Sequence, residues 1–151
     1  MSENDKPEFL SAIDEHEGCM QVVVEIEHCL DREPDIEGRW LQKLTQKLSE
    51  VLEVLAAHFK TEELGPLYQE FPLRYPHFAE RLERLTQEHP MMLEQIRSAI
   101  KHAQRLNSPE VYELRELSSR VQLLVARIRR HEAEENEMAF SAMWDEVGTG
   151  D

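Results

Sequence analysis

The row Leu41, Leu44, Leu48, Val51, Leu55, His58, Glu62 most constrains what this chain can fold into. Its spacings run 3, 4, 3, 4, 3, 4, the unbroken seam of a helix that buries one face against other helices. The last two members are a histidine and a glutamate, where the pattern calls for apolar side chains. A second seam reads Phe78, Leu82, Leu85, His89, Met92, Ile96, Ala99, Ala103, Leu106, again with a histidine inside it. A third reads Leu114, Leu117, Val121, Leu124, Ile128, His131, Glu135, Met138, and it carries both polar members. Nearer the start, the inward stripe is read as Ile13, His16, Met20, Val23, Val24 and Leu30.

This periodicity predicts four helices, over about 8–31, 39–64, 77–106 and 109–144. Asp31 to Gly38 forms the first turn, and Gly65-Pro66 stops the second helix. Residues 65–76 hold three prolines and several aromatics, and are expected to cover one end of the bundle. Pro90 predicts a kink or break in the third helix. Ser108 is the expected N-cap of the fourth, with Pro109 in its first position. Five glycines and seven prolines leave little room for a turn-rich sandwich or barrel. The fold expected is all-α: a single domain over 1–151, an up-down-up-down antiparallel four-helix bundle, with tails at about 1–7 and 146–151.

The net charge of −14 argues against nucleic acid and anionic membranes as partners, since both need clustered Lys and Arg. The longest apolar run is too short to span a bilayer. Cys19 and Cys29 lie ten residues apart on one predicted helix, roughly 15 Å along its axis, too far for a disulfide. With the polar stretch Met1 to Lys6, this gives a cytoplasmic protein as the expectation.

The polar seam members form a pattern of their own. His16 precedes His58 by 42 residues, and His89 precedes His131 by 42. The sets His16/His58/Glu62 and His89/His131/Glu135 are therefore related by one offset of 73 residues. Each His-x-x-x-Glu puts both side chains on one helix face. His16 and His58 are equidistant from residue 37, inside the first turn; His89 and His131 are equidistant from residue 110, inside the last. In antiparallel hairpins each pair is level, and both layers fall toward the same end of the bundle. Burying glutamate in an apolar seam is costly without a compensating cation, and the seams offer no Lys or Arg at this height. Four imidazoles and two carboxylates in one layer read as ligands to divalent or trivalent cations.

Ligand chemistry narrows the metal. The set has no thiolate, which disfavours Cys-rich structural zinc, and mixed nitrogen and oxygen donors in a bundle suit non-haem iron, then manganese. Glu62 and Glu135 can each bridge two ions, leaving room for a solvent bridge and a small exogenous ligand. Glu63, Glu94 and Glu134 flank the donors as candidate supporting partners. His28 and His102 read as surface residues, and His77 lies too far from His89 to join it. Met91, Met92, Met138 and Met143 read as core filler, and Trp40 and Trp144 as packing residues near helix ends.

On these residues the chain resembles the hemerythrin-like (HHE cation-binding) family, whose pattern is His, His-x-x-x-Glu, His, His-x-x-x-Glu on four successive helices. The resemblance spans about 8–144. It implies two non-haem iron ions joined by an oxo or hydroxo bridge, with manganese or zinc as alternatives, ligated by His16, His58, Glu62, His89, His131 and Glu135. Oxygen-carrying hemerythrins have a further histidine one turn after the third-helix His, where this chain has Leu93. The set looks more like that of iron-centre repair proteins of nitrosative stress and iron-sensing domains of ubiquitin-ligase subunits. The function expected is a di-iron protein handling oxygen, nitric oxide or iron as sensor, store or stress-response factor. The alternatives are a di-iron oxidase or peroxidase-like enzyme acting on peroxide, and a metal-free helical interaction module.

Overall fold

The computed structural model describes residues 8–148, with side chains described for 17–141. Its long helices are α1 (Glu8–Leu30), α2 (Arg39–Leu64), α5 (Ala79–Arg105) and α6 (Val111–Gly148). Between α2 and α5 lie two single-turn helices, α3 (Pro66–Gln69) and α4 (Phe71–Arg74), and a 3-10 turn over Pro76–Phe78. No strand occurs among the described residues. The protein is an all-helical bundle in which α1 packs on α2 and α6, and α5 packs on α2 and α6.

Local chemistry sets the boundaries. The Asp35 carboxylate accepts the backbone N–H groups of Arg39 (3.1 Å) and Trp40 (3.2 Å), two of the orphan donors that begin α2. Gly38 turns the chain into the helix at φ +96°, a conformation that side chains rarely adopt. The Trp40 indole then donates to the Cys29 carbonyl at 2.8 Å, tying the end of α1 to the start of α2.

Ser108 does not cap α6. It sits at φ +45°, and the cap is Glu110, whose carbonyl accepts from Leu114 while its own N–H donates to Glu113 Oε1 at 3.2 Å. That is one half of a capping box, in which the Glu113 carboxylate satisfies the N–H of the residue preceding the helix. Pro90 does not break α5, which runs unbroken through it. A proline costs the ladder one donor, and the apolar row on both sides holds the helix together. At its far end α6 continues to Gly148, past the tail expected from 146; residues 1–7 and 149–151 lie outside the described residues.

The seams of α2, α5 and α6 are buried as the spacing predicts, with Leu44, Leu48, Val51, Leu55, Ile96, Leu114, Leu117 and Val121 fully enclosed. Each such side chain contributes roughly 1.5–3 kcal/mol by leaving water. On α1 the inward row is Cys19, Val23, Ile26 and Cys29, whereas Met20, Val24 and Leu30 are only half-buried. Reduced cysteine packs as a small hydrophobe, and both cysteines are free thiols. Ile13, Met143 and Trp144 lie outside the residues with described side chains.

A second apolar cluster forms where residues 65–76 were expected to cover the bundle. Phe71, Leu82, Leu85 and Met138 pack together with Leu67, Tyr68, Tyr75 and Phe78. Tight turns rather than irregular loop present these aromatics, because Pro66, Pro72 and Pro76 each start a helical turn. His89 lies one turn from Leu85 of this cluster and one turn from Met92 of the main core. His131 likewise sits between Ile128 and Met138. The polar layer is therefore sealed by apolar side chains above and below.

Candidate metal centre

Five of the six expected donors are brought together. His58 and Glu62 come from α2, His89 from α5, and His131 and Glu135 from α6. One donor atom each from Glu62, His89, His131 and Glu135 lies within 4.8 Å of every other. His58 and Glu62 form a second such group with Glu132. Glu62 belongs to both. His16 lies on α1, and its side chain is outside the described residues.

The two His-x-x-x-Glu pairs close as helix geometry requires. His58 Nε2 stands 2.5 Å from Glu62 Oε1, and His131 Nε2 contacts Glu135 Oε1. His89 Nε2 is 3.7 Å from Glu62 Oε2 and 3.8 Å from Glu135 Oε1. His89 and His131 face each other, Nε2 to Nε2, at 3.1 Å.

Two outer carboxylates set the orientation of these rings. His89 Nδ1 donates to Glu63 Oε1 at 2.8 Å, and His131 Nδ1 donates to Glu88 Oε2 at 2.8 Å. In each neutral ring the proton is thereby held on Nδ1, so the Nε2 lone pair points inward. Two lone pairs then oppose each other at 3.1 Å, with carboxylate oxygens beside them. Positive charge between them resolves that repulsion, and a cation with open coordination sites does so directly. The carboxylate–histidine–metal arrangement is the usual support for metal-bound imidazole. The donors present fit a metal.

Aromatic rings close the sides. Phe59 stacks on the His89 ring with centroids 4.0 Å apart and meets His131 edge-on at 5.6 Å. From α3, Tyr68 brings its hydroxyl to 3.4 Å from His89 Nε2, the only phenol among the described contacts of the donor histidines. Burial, then the charges of Glu135 and Glu62, push the Tyr68 hydroxyl well above its usual pKa, so it remains a proton donor.

The charges divide unequally. Burial pushes the Glu132 carboxyl up to about 8, and the Glu135 charge adds to this, with His131 opposing. Burial also opposes ionisation of Glu135, but the adjoining His131 imidazole, and then that of His89, outweighs it and holds this carboxyl below the ordinary range. For His131, burial opposes the charged form, while Glu135 and Glu88 outweigh it and raise its pKa.

Glu132 and Glu88 were not anticipated from the sequence. Glu88 needs the packed α5–α6 pair to be seen. Glu132 does have a signal: one residue past the α6 seam runs a parallel row, Ser118, Val125, Glu132, and all three are buried. Of the flanking carboxylates, Glu63 takes the supporting role. Glu134 instead pairs outward with Arg84 at 2.7 Å, and Glu94 is exposed near Arg97. His28 and His77 are exposed, and His102 accepts from Arg120 at 3.1 Å, away from the donors. Met92 and Met138 are buried core residues, while Met91 is exposed. Leu93 packs half-buried against the main core.

A family model described as the hemerythrin HHE cation binding domain matches residues 12–143. The chain belongs to this hemerythrin family. The match extends over nearly all of the helical bundle, and the His and Glu clusters described above lie within it. No curated protein matches the chain, and no solved structure does. Among the described residues, no helix of this hemerythrin-like domain is long and apolar enough to cross a membrane.

Proposed function

We propose that this domain holds two non-haem iron ions and handles oxygen, nitric oxide or iron as a sensor, store or stress-response factor in the cytoplasm. The ligands in this reading are His16, His58, Glu62, His89, His131 and Glu135. The carrying observation is that Glu62 is common to two neighbouring donor groups, as a carboxylate shared by two ions must be. Supporting it, α1 joins α2 and α5 joins α6 through short turns, which suits an up-down-up-down antiparallel four-helix bundle. In that topology His16 of α1 is level with His58 and completes the first group.

Bound iron would supply open coordination positions and a bridging oxo or hydroxo group, suited to oxygen, nitric oxide or peroxide. The chain's own residues do the rest. Glu63 and Glu88 keep Nε2 of His89 and His131 free to ligate. Phe59 and the Leu85/Met138 cluster keep water from the imidazoles. Tyr68 can give a hydrogen bond to a group bound beside His89.

Anaerobic loading with ferrous iron, gel filtration and metal analysis test the reading. About two irons per chain are expected, with a visible absorption change on exposure to oxygen or nitric oxide. A chain that retains no iron would refute it and leave the helical interaction module. Sustained turnover of peroxide faster than free iron would place the same centre in the enzyme class.

A further inference from the structure

Glu132, the carboxylate outside the strict α6 seam, is 3% exposed and directly follows His131 on α6. One helical step turns it about 100° around the axis from His131. His131 looks toward His89 on α5, whereas Glu132 joins His58 and Glu62 of α2, with one donor atom of each within 4.8 Å of the others. Helices α2 and α6 are not flanking neighbours in the packing, so Glu132 crosses the centre of the bundle.

Placing a further carboxylate against Glu62 in a sealed apolar layer is costly twice over, by burial and by like charge. A glutamine would fill the same space without either cost. The arrangement makes chemical sense if the carboxylate oxygens share a cation with His58. The donors of the His89/His131 group already include two imidazoles and two carboxylates, and Glu132 is not among them.

We infer that Glu132 is a direct ligand of the ion held by His58 and Glu62, serving that position as Glu135 serves the ion held by His89 and His131. This rests on the two-ion reading above. The His58 position gains an anionic donor of its own, in addition to shared Glu62. The two positions then differ in their surroundings rather than in donor number, since Phe59 and Tyr68 lie against His89.

Cobalt(II), which reports its ligands through visible d–d bands, is the probe. The full chain is titrated and followed by calorimetry and absorption, beside the isosteric variant Glu132→Gln and the control Glu134→Gln. Wild type is expected to take two cobalt ions per chain in distinguishable steps. Glu132→Gln should keep one step and weaken the other at least tenfold, and the step lost should be the one lost in His58→Ala. Glu134→Gln should titrate as wild type. The metal-free melting temperature of Glu132→Gln at neutral pH should equal or exceed that of wild type, since glutamine fills the space without the cost of burying an ionisable carboxyl; a residue with a merely structural role would lower it.

If wild type takes two ions and Glu132→Gln takes both with unchanged affinity, Glu132 is not a ligand and the two-ion centre stands without it. If Glu132→Gln melts lower without metal and weakens both steps equally, its role is structural and the inference is overturned. If wild type takes fewer than two ions, the two-ion reading falls and this inference falls with it.

Discussion

Stripping the metal should turn the buried carboxylates into a pH-dependent liability, and Glu132 sets its size. In the fold its carboxyl is pushed up to about 8 from an ordinary 4.5, by burial first and by the Glu135 charge second. A raised carboxyl keeps its proton in the folded state while the unfolded chain has released it, so stability falls as pH rises between those two values. At about 1.4 kcal/mol for each tenfold difference in proton affinity, the loss amounts to roughly 3 kcal/mol by pH 7. His131, whose pKa is raised, acts in the same sense: its stabilisation is present at low pH and lost as pH rises through its folded value. Glu135 is held low and acts oppositely, its contribution vanishing only as pH falls below the ordinary carboxylate range. Metal-free protein is therefore expected to be most stable near about pH 5, declining toward pH 8. Urea denaturation followed by circular dichroism at several pH values measures this directly, because the apolar core of Leu44, Leu48, Leu55 and Ile96 holds the fold independently of the donors. Glu132→Gln should remove most of the slope. Bound metal should do so too, because it replaces the proton on the carboxylate. An unchanged slope in Glu132→Gln would refute the assignment of this pH dependence to Glu132.

Other expectations follow from the shared carboxylate and its surroundings. Glu62→Ala should release both ions, whereas His58→Ala should release one preferentially; metal analysis after gel filtration separates the two patterns. Glu63→Gln and Glu88→Gln, which loosen the hold on Nδ1 of His89 and His131, should each weaken metal binding about 10- to 100-fold without changing stoichiometry. Leu48→Ala, at a fully enclosed position, should cost roughly 2–5 kcal/mol in urea denaturation with or without metal. Tyr68→Phe should leave both ions in place and alter only the spectrum or off-rate of an added small ligand such as nitric oxide.

The limits of α2 and the burial of its seam were legible because a 3/4 spacing states which face of a helix leaves water. The same logic singled out His58, Glu62, His89, His131 and Glu135, whose side chains the structure brings together, since a polar side chain in such a row must be compensated. On α1 it found Val23, with Met20 and Leu30 packed half-buried against the core, but missed Cys19, Ile26 and Cys29 as the most enclosed positions, because residue type is a weaker guide to burial than position. It placed the α6 cap at Ser108 because a hydroxyl looks sufficient locally, while the helix starts after Glu110, whose N–H is taken up by the Glu113 carboxylate. Glu132 escaped because a strict seam is narrower than the stripe a bundle helix buries, and its neighbours Ser118 and Val125 mark the wider row only once all three are found inside.

By itself the sequence determined the helices, their inward faces and a set of metal-binding residue types at matched heights, because those depend on periodicity along one chain. Only the tertiary structure decided which carboxylate serves which imidazole: Glu63 crosses to His89, Glu88 to His131, and Glu132 to the donors of α2. Those pairings depend on how each helix is rotated about its own axis and how closely its neighbours approach, and neither is fixed until the helices pack.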